Sequence, residues 1–190
     1  CRNLTSDGSH CGACFVTCQV NAGTSANTCT NGACNPTCNA TYYNIDNNAP
    51  NGCECRQDSY DVNGIDNLTP GAEEVSDCGD SRTVNANLVP STDFDFYIAW
   101  VTDTLWCDFN LIVDLTNIPA GTNYDLYVYR WDGAAWNLVG LSINNGNTNE
   151  EVIYGGSGGE DDTAWYGFEV RRFSGPAACG NYQLSVVNGS

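Results

Sequence analysis

The chain has no lysine and no methionine, and its single histidine is His10. Its positive charge is confined to six arginines, set against 23 acidic side chains, for a net charge of −17. Each scarcity excludes something. Nucleic acid is bound through clustered positive charge that displaces counterions, and an anionic membrane surface makes the same demand, so neither is an expected partner. Lys–Asn isopeptide staples cannot form without lysine. No apolar run approaches the ~20 residues that cross a bilayer. A chain without methionine is expected to be a processed product whose export signal has been removed.

The abundance lies in cysteine. Twelve occur in 190 residues, nine of them within the first 55. Reducing compartments do not maintain such a density of disulfides, which places the protein outside the cell or at its surface. Cys11-x-x-Cys14 and Cys34-x-x-x-Cys38 have spacings that also suit zinc, but in an oxidising compartment disulfides are the better reading. A lipid anchor on Cys1 would leave eleven cysteines, and parity argues against it.

Two regions have different textures. Residues 1–55 are rich in Cys, Asn, Thr and Gly and show neither a helical nor a strand period. Such a segment cannot bury enough apolar surface to fold unaided, so cross-links must hold it. Residues 56–80 form an acidic, loop-like linker. From residue 81 the pattern is β. Strands are expected at Arg82–Leu88, Phe94–Trp100, Leu105–Leu115, Tyr124–Trp131, Ala135–Ser142, Glu150–Tyr154, Trp165–Phe173 and Tyr182–Val187. They are rich in β-branched and aromatic residues and separated by Gly, Asn, Asp and Pro. Asp132-Gly133 is a tight-turn signal. Leu126 and Val128 alternate with Asp125, Tyr127 and Tyr129, and Tyr166, Phe168 and Val170 alternate with Gly167, Glu169 and Arg171, giving each strand one buried and one wet face. The fold class is therefore all-β: a jelly-roll-like antiparallel β-sandwich over 81–190, preceded by a disulfide-rich, loop-dominated module over 1–55.

Nine cysteines in the first region and three in the second are both odd counts, so at least one disulfide crosses the boundary if all are oxidised. Cys55–Cys78 is the expected crossing bridge, worth roughly 3 kcal/mol by loop closure. Cys107–Cys179 then ties a central strand to the loop before the last one. The other eight form four bridges inside the module, with a connectivity that spacing does not give.

The pieces CRNLTSDGSHCGACFVTC, CTNGACNPTC and NAPNGCE resemble a short cysteine-rich module of secreted myxobacterial proteins, over residues 1–54. Asp58 to the chain end resembles a bacterial pre-peptidase C-terminal domain, through DSYDVNGIDNLTPGAEEV, Asp93-x-Asp95-x-Tyr97 and Tyr124-Asp-Leu-Tyr127. That resemblance implies a jelly-roll-like sandwich, usually appended to secreted hydrolases. It also implies calcium held between an entry segment (Asp58, Asp61, Asn63, Asp66) and Asp93 and Asp95. The family's usual Glu-Pro-Asn-Asp entry is altered here to Asp61-Val62-Asn63-Gly64. Independently of the resemblance, Asp61, Asn63 and Asp66 set oxygens around Gly64, which permits a sharp turn. Calcium needs six to eight oxygens, so Asp93 and Asp95 would have to converge on them. A plain Asx-rich turn beside a solvated strand edge is the other reading. The acidic run Glu160, Asp161 and Asp162 is expected to be solvated.

No catalytic apparatus is legible. Gly155-Gly156-Ser157-Gly158-Gly159 has the letters of a nucleophile elbow, but no helix follows and the lone His10 lies in the disulfide module, away from any serine it would serve. Asp93/Asp95 and Glu150/Glu151 lie where metal ligation or solvation is expected instead of acid–base work. Aromatic residues are the remaining candidates: Tyr127, Tyr129 and Trp131 share one side of a strand, and Trp136 and Trp165 join them. Such rows give large contact area with polar handles, though the same residues could instead fill the sandwich or pack under the module. Asn3, Asn39, Asn67 and Asn188 begin glycosylation triplets that an Asn- and Thr-rich chain also produces by chance. The expectation is a non-catalytic extracellular or surface protein, calcium-stabilised, that contacts copies of itself or an extracellular protein or polysaccharide. The alternative is a substrate-targeting accessory domain of a secreted hydrolase.

Overall fold

The computed structural model describes residues 1, 3–60, 74–104, 106–156 and 161–189. The chain divides into two compact units. The first comprises Cys1–Asp58 with two excursions from later in the chain, Val89–Thr92 and Pro176–Cys179. The second comprises Ser59–Leu88, Asp93–Gly175 and Gly180–Ser190.

The first unit is more regular than its composition suggests. Strands β1 (Thr24–Thr30) and β2 (Ala33–Cys38) form an antiparallel hairpin, and β3 (Tyr42–Tyr43) pairs with β4 (Cys55–Arg56). Asn31 and Gly32 turn the hairpin with φ of 52° and 78°, the left-handed pair that matches the twist of the flanking strands. The expectation of a segment without strand character is thus corrected: the hairpin faces solvent on most positions, so no apolar alternation marks it. Four bridges staple this unit: Cys1–Cys14, Cys11–Cys29, Cys18–Cys34 and Cys38–Cys53. Its apolar centre consists of the sulfurs of Cys11, Cys18 and Cys34 with Cys29 and Ala49, which explains why cross-links and not a hydrocarbon core hold it.

The second unit is an all-β sandwich. One sheet has five strands in the order β10 (Trp136–Ser142), β9 (Asn123–Trp131), β12 (Ala164–Ser174), β7 (Phe94–Val101) and β5 (Glu74–Val75). The other has four: β11 (Glu150–Gly155), β8 (Asn110–Thr116), β13 (Tyr182–Asn188) and β6 (Asp80–Ala86). Every pairing is antiparallel except β5 with β7. All eight strands expected from the sequence are present. Most starts agree to within two residues, but β8 begins at Asn110 and not at Leu105, because Cys107 and Asp108 belong to the loop that follows β7.

Side chains from both inner faces fill the sandwich: Tyr97, Ala99 and Val101, Leu111, Val113 and Leu115, Leu126 and Val128, Tyr166, Phe168 and Val170, and Leu184 and Val186. Alternation is clean in β8 and β13; in β9 and β12, where the sequence shows it, Leu126, Val128, Tyr166, Phe168 and Val170 are buried as expected, but Asp125, Gly167 and Glu169 on the expected wet side are buried as well.

All twelve cysteines are paired, and the zinc reading falls with them. The pairing of the last four differs from expectation. Cys55 bonds Cys179, and Cys78 bonds Cys107. The sheet explains the exchange. β5 runs parallel to the end of β7, and the Thr102 N–H donates to the Val75 carbonyl, which brings the turns after both strands together. Cys78 lies in one of those turns and Cys107 in the other. Cys179 belongs to the Pro176–Cys179 excursion of the first unit, where Cys55 lies.

Candidate functional site

The two sheets of the sandwich present different mixtures of side chains to solvent. On the four-stranded sheet most outward neighbours are polar, Asp114 beside Ser185, Thr116 beside Gln183, Ser185 beside Thr83, and Gln183 bonded to Asn85, with one aliphatic row of Ile153, Ile112 and Val187 crossing them. On the five-stranded sheet they are aromatic and aliphatic.

This second face is assembled by register. Trp100 on β7 stands opposite Trp165 on β12, with ring centroids 5.4 Å apart. Tyr127, Tyr129 and Trp131 project from β9 on the side away from the buried Leu126 and Val128. Trp136 on β10 is the register partner of Trp131, and their rings lie 5.3 Å apart. Phe96 links the set. Its ring lies over Gly167 of the neighbouring strand and reaches Tyr129 at 5.9 Å and Trp136 at 5.6 Å. A methyl group on Gly167 would stand 2.5 Å from the Phe96 ring, so glycine is what lets the ring lie across the sheet. Leu138 and Leu141 continue the surface on β10, each nearly half exposed.

A polar group sits beneath the rings. Glu169 on β12 is buried, yet it carries a carboxylate, which is costly unless paired. It is paired with the Arg171 guanidinium and accepts the Tyr129 hydroxyl at 2.9 Å. Arg171 in turn lies over the Tyr127 ring, 4.7 Å from its centroid. Burial, then the hydrogen bond to Glu169, pushes the Tyr129 hydroxyl up to about 12. Burial, then the charge of Glu150, raises the Asp125 carboxyl above its ordinary range. The result is a rigid aromatic layer whose polar anchors are satisfied from below.

The five aromatic residues singled out in the sequence thus stand on one face of one sheet. Phe96, Trp100, Leu138 and Leu141 were not singled out. In β7 both sides are apolar or aromatic, so a period of two does not say which side is wet, and Phe96 and Trp100 carry no sign of their orientation.

The expected calcium ligands divide differently. Asp61, Asn63 and Asp66 lie outside the described residues. Asp58 closes the first unit. Asp93 precedes β7, and Asp95 lies within it, fully buried. Asp95 accepts the hydroxyls of Tyr97 and Tyr182, and the two hydroxyls lie 2.7 Å apart. Burial, with the nearby Asp95 charge, holds the Tyr182 hydroxyl well above its ordinary value. The donor chemistry of Asp93 and Asp95 suits a hard cation. Among the described residues, the groups of three close metal-ligating side chains all include disulfide-bonded cysteines, such as Asp77 with Cys78 and Cys107, and offer no thiolate.

Other readings are corrected or filled in. Asp162 is buried, not solvated: it contacts Arg130 at 3.6 Å, and its N–H donates to Asp103. Ser157 and Glu160 lie outside the described residues. His10 accepts the Phe15 N–H through Nδ1 at 2.9 Å and braces a loop of the first unit.

No family model matches the chain. Solved structures similar to it include two proteins of different kinds. One is the pre-peptidase C-terminal domain of a collagenase from Bacillus anthracis, 16% identical, covering 60% of this chain and 92% of that one, with a TM-score of 0.41. The other is the Yersinia pseudotuberculosis-derived mitogen, 10% identical, covering 59% and 86%, with a TM-score of 0.42. Both likenesses are partial, at identities too low to assign a role to any residue.

Proposed function

We propose that this chain is a non-catalytic extracellular adhesion protein and that the outer face of its five-stranded sheet is the surface through which it makes contact. The observation that carries the reading is the aromatic layer on the outer face of the five-stranded sheet. An acidic chain whose four-stranded sheet presents Asp, Ser, Thr and Gln with a short row of Ile and Val gathers Trp, Phe, Tyr and Leu on the outer face of the other. Contiguous apolar surface of this kind marks interaction sites on soluble proteins, and Trp and Tyr supply most of the binding energy where they cluster. The disulfides and the acidic surface suit an oxidising extracellular setting. Calcium bound by the acidic segment with Asp93 and Asp95 is proposed as a stabilising ion and takes no part in the contact.

The test is co-sedimentation of the purified chain with the extracellular material of its producing cells, together with light scattering of the chain alone. The Trp131→Ala/Trp136→Ala double variant is expected to lose whichever association the parent shows. A double variant that folds and associates as the parent does would remove the sheet face from the account.

A further inference from the structure

We infer that the aromatic face binds a neutral polysaccharide, an inference that rests on the reading of that face as the contact surface. Three features of the site select this class of ligand.

The first is how its rings are disposed. Trp131, Trp136 and Phe96 form one run, and Trp100 with Trp165 forms another, with neighbouring planes inclined at 56° to 76°. The strands carrying them are hydrogen-bonded neighbours in one sheet, so the rings are spread across a surface and do not wall a closed pocket. A surface of this shape suits an extended chain. The faces of sugar rings carry C–H groups that pack on aromatic rings, while their hydroxyls project sideways to polar groups. Such groups border the rings here: the exposed Asp132 in the turn between Trp131 and Trp136, and Arg171 beside Tyr127.

Rigidity is the second feature. Tyr129 is fixed by its hydrogen bond to Glu169, Arg171 by its ion pair, and Phe96 by its seat over Gly167. Side chains already fixed in place lose little entropy when a weakly polar ligand binds. Tyr127 differs from the other rings, because the guanidinium of Arg171 occupies one of its faces. It serves as a polar border and not as a stacking platform.

Charge is the third. The chain carries −17, so a polyanion is repelled. A cationic peptide would be drawn to the acidic surface as a whole. At this face, however, both oxygens of Glu169 are committed to Arg171, one of them also to Tyr129, and the oxygens of Asp132 accept from Ala134, Ala135 and Asn137. A neutral hydroxylated chain meets neither obstacle. A second copy of this protein would bring its own −17 to the contact.

The inference is tested by co-sedimentation with microcrystalline cellulose, chitin and insoluble starch, with soluble polygalacturonate as the anionic control in affinity electrophoresis. Retention is expected on at least one neutral glycan, equally in 0.15 M and 1 M salt, and absent for polygalacturonate. Trp131→Ala/Trp136→Ala is expected to weaken retention at least about tenfold. Trp165→Ala, at the other run of rings, is a second variant should the first disturb folding. Trp106→Ala is expected to leave binding unchanged, because Trp106, 92% exposed, stands in the loop after β7 and on none of the strands that carry the rings. No retention on any of the three glycans, or equal retention by both face variants, overturns the inference. If the glycans fail while the double variant still loses association with extracellular material, a protein partner replaces the polysaccharide and the contact surface stands. If that association is also indifferent to the face, the adhesion reading falls too.

Discussion

Two buried carboxylates, Asp95 and Glu169, accept tyrosine hydroxyls, Glu169 beside its ion pair with Arg171, and this sets how single side chains govern stability. Asp95 receives hydroxyls from Tyr97 and Tyr182 inside the sandwich. Tyr182→Phe removes one donor from a buried anion at almost constant volume. Urea unfolding is expected to show a loss of about 1–3 kcal/mol. Tyr129 behaves differently because it titrates within reach. Its hydroxyl is raised from 10.0 to about 12 in the folded chain, so the folded state keeps a proton that the unfolded state gives up. Its contribution is complete below about pH 10 and is lost as the pH climbs toward 12. Unfolding midpoints measured from pH 9 to 12 are expected to fall, and Tyr129→Phe is expected to fall less steeply over that window. An equal slope in the variant would assign the alkaline loss to other tyrosines.

At the level of elements, most of the fold was legible and some of its wiring was not. Eight of the nine sandwich strands announce themselves through β-branched and aromatic runs broken by Gly, Asn and Pro, whereas β5, two residues within the acidic segment, does not. The hairpin β1–β2 does not, since a solvated strand pair has no buried face to impose alternation; its one local sign was Asn31-Gly32, two residues whose left-handed conformation suits a tight hairpin turn. The exchange of partners among Cys55, Cys78, Cys107 and Cys179 is set by the parallel pairing of β5 with β7, a long-range contact that spacing cannot report. A non-reducing digest is expected to yield peptides joining Cys55 to Cys179 and Cys78 to Cys107. Replacing Cys78 and Cys107 together by serine is expected to cost about 3–4 kcal/mol in thermal or denaturant unfolding. The aromatic face was half legible: β9 showed its sides, β7 hid them, and the role of Gly167 needed the neighbouring strand. Gly167→Ala places a methyl where the Phe96 ring lies. It is expected to destabilise the chain by about 1–3 kcal/mol and to change the near-ultraviolet dichroism of the ring layer. An unchanged spectrum would mean that Phe96 does not rest there.

The whole molecule combines a unit held by sulfur with a unit held by a hydrocarbon core, and neither dominates its surface chemistry, which is acid. Millimolar calcium is expected to raise the melting temperature, and chelator to reverse it, by the stabilisation that any ligand of the native state confers: about 2.7 kcal/mol when the ion stands at 100 times its dissociation constant. A melting temperature indifferent to both would remove calcium and leave the contact surface as it is. That surface is the centre of the account, and hydroxyl-radical footprinting reads it directly. The purified chain is oxidised free and then bound in the extracellular material of its producing cells, with Trp106 and Phe15 as exposed references in the same molecule. The account predicts that Phe96, Trp100, Trp131, Trp136 and Trp165 become protected in the bound state while Trp106 and Phe15 are modified as before. Unchanged modification of the five face residues, with protection elsewhere, would contradict it.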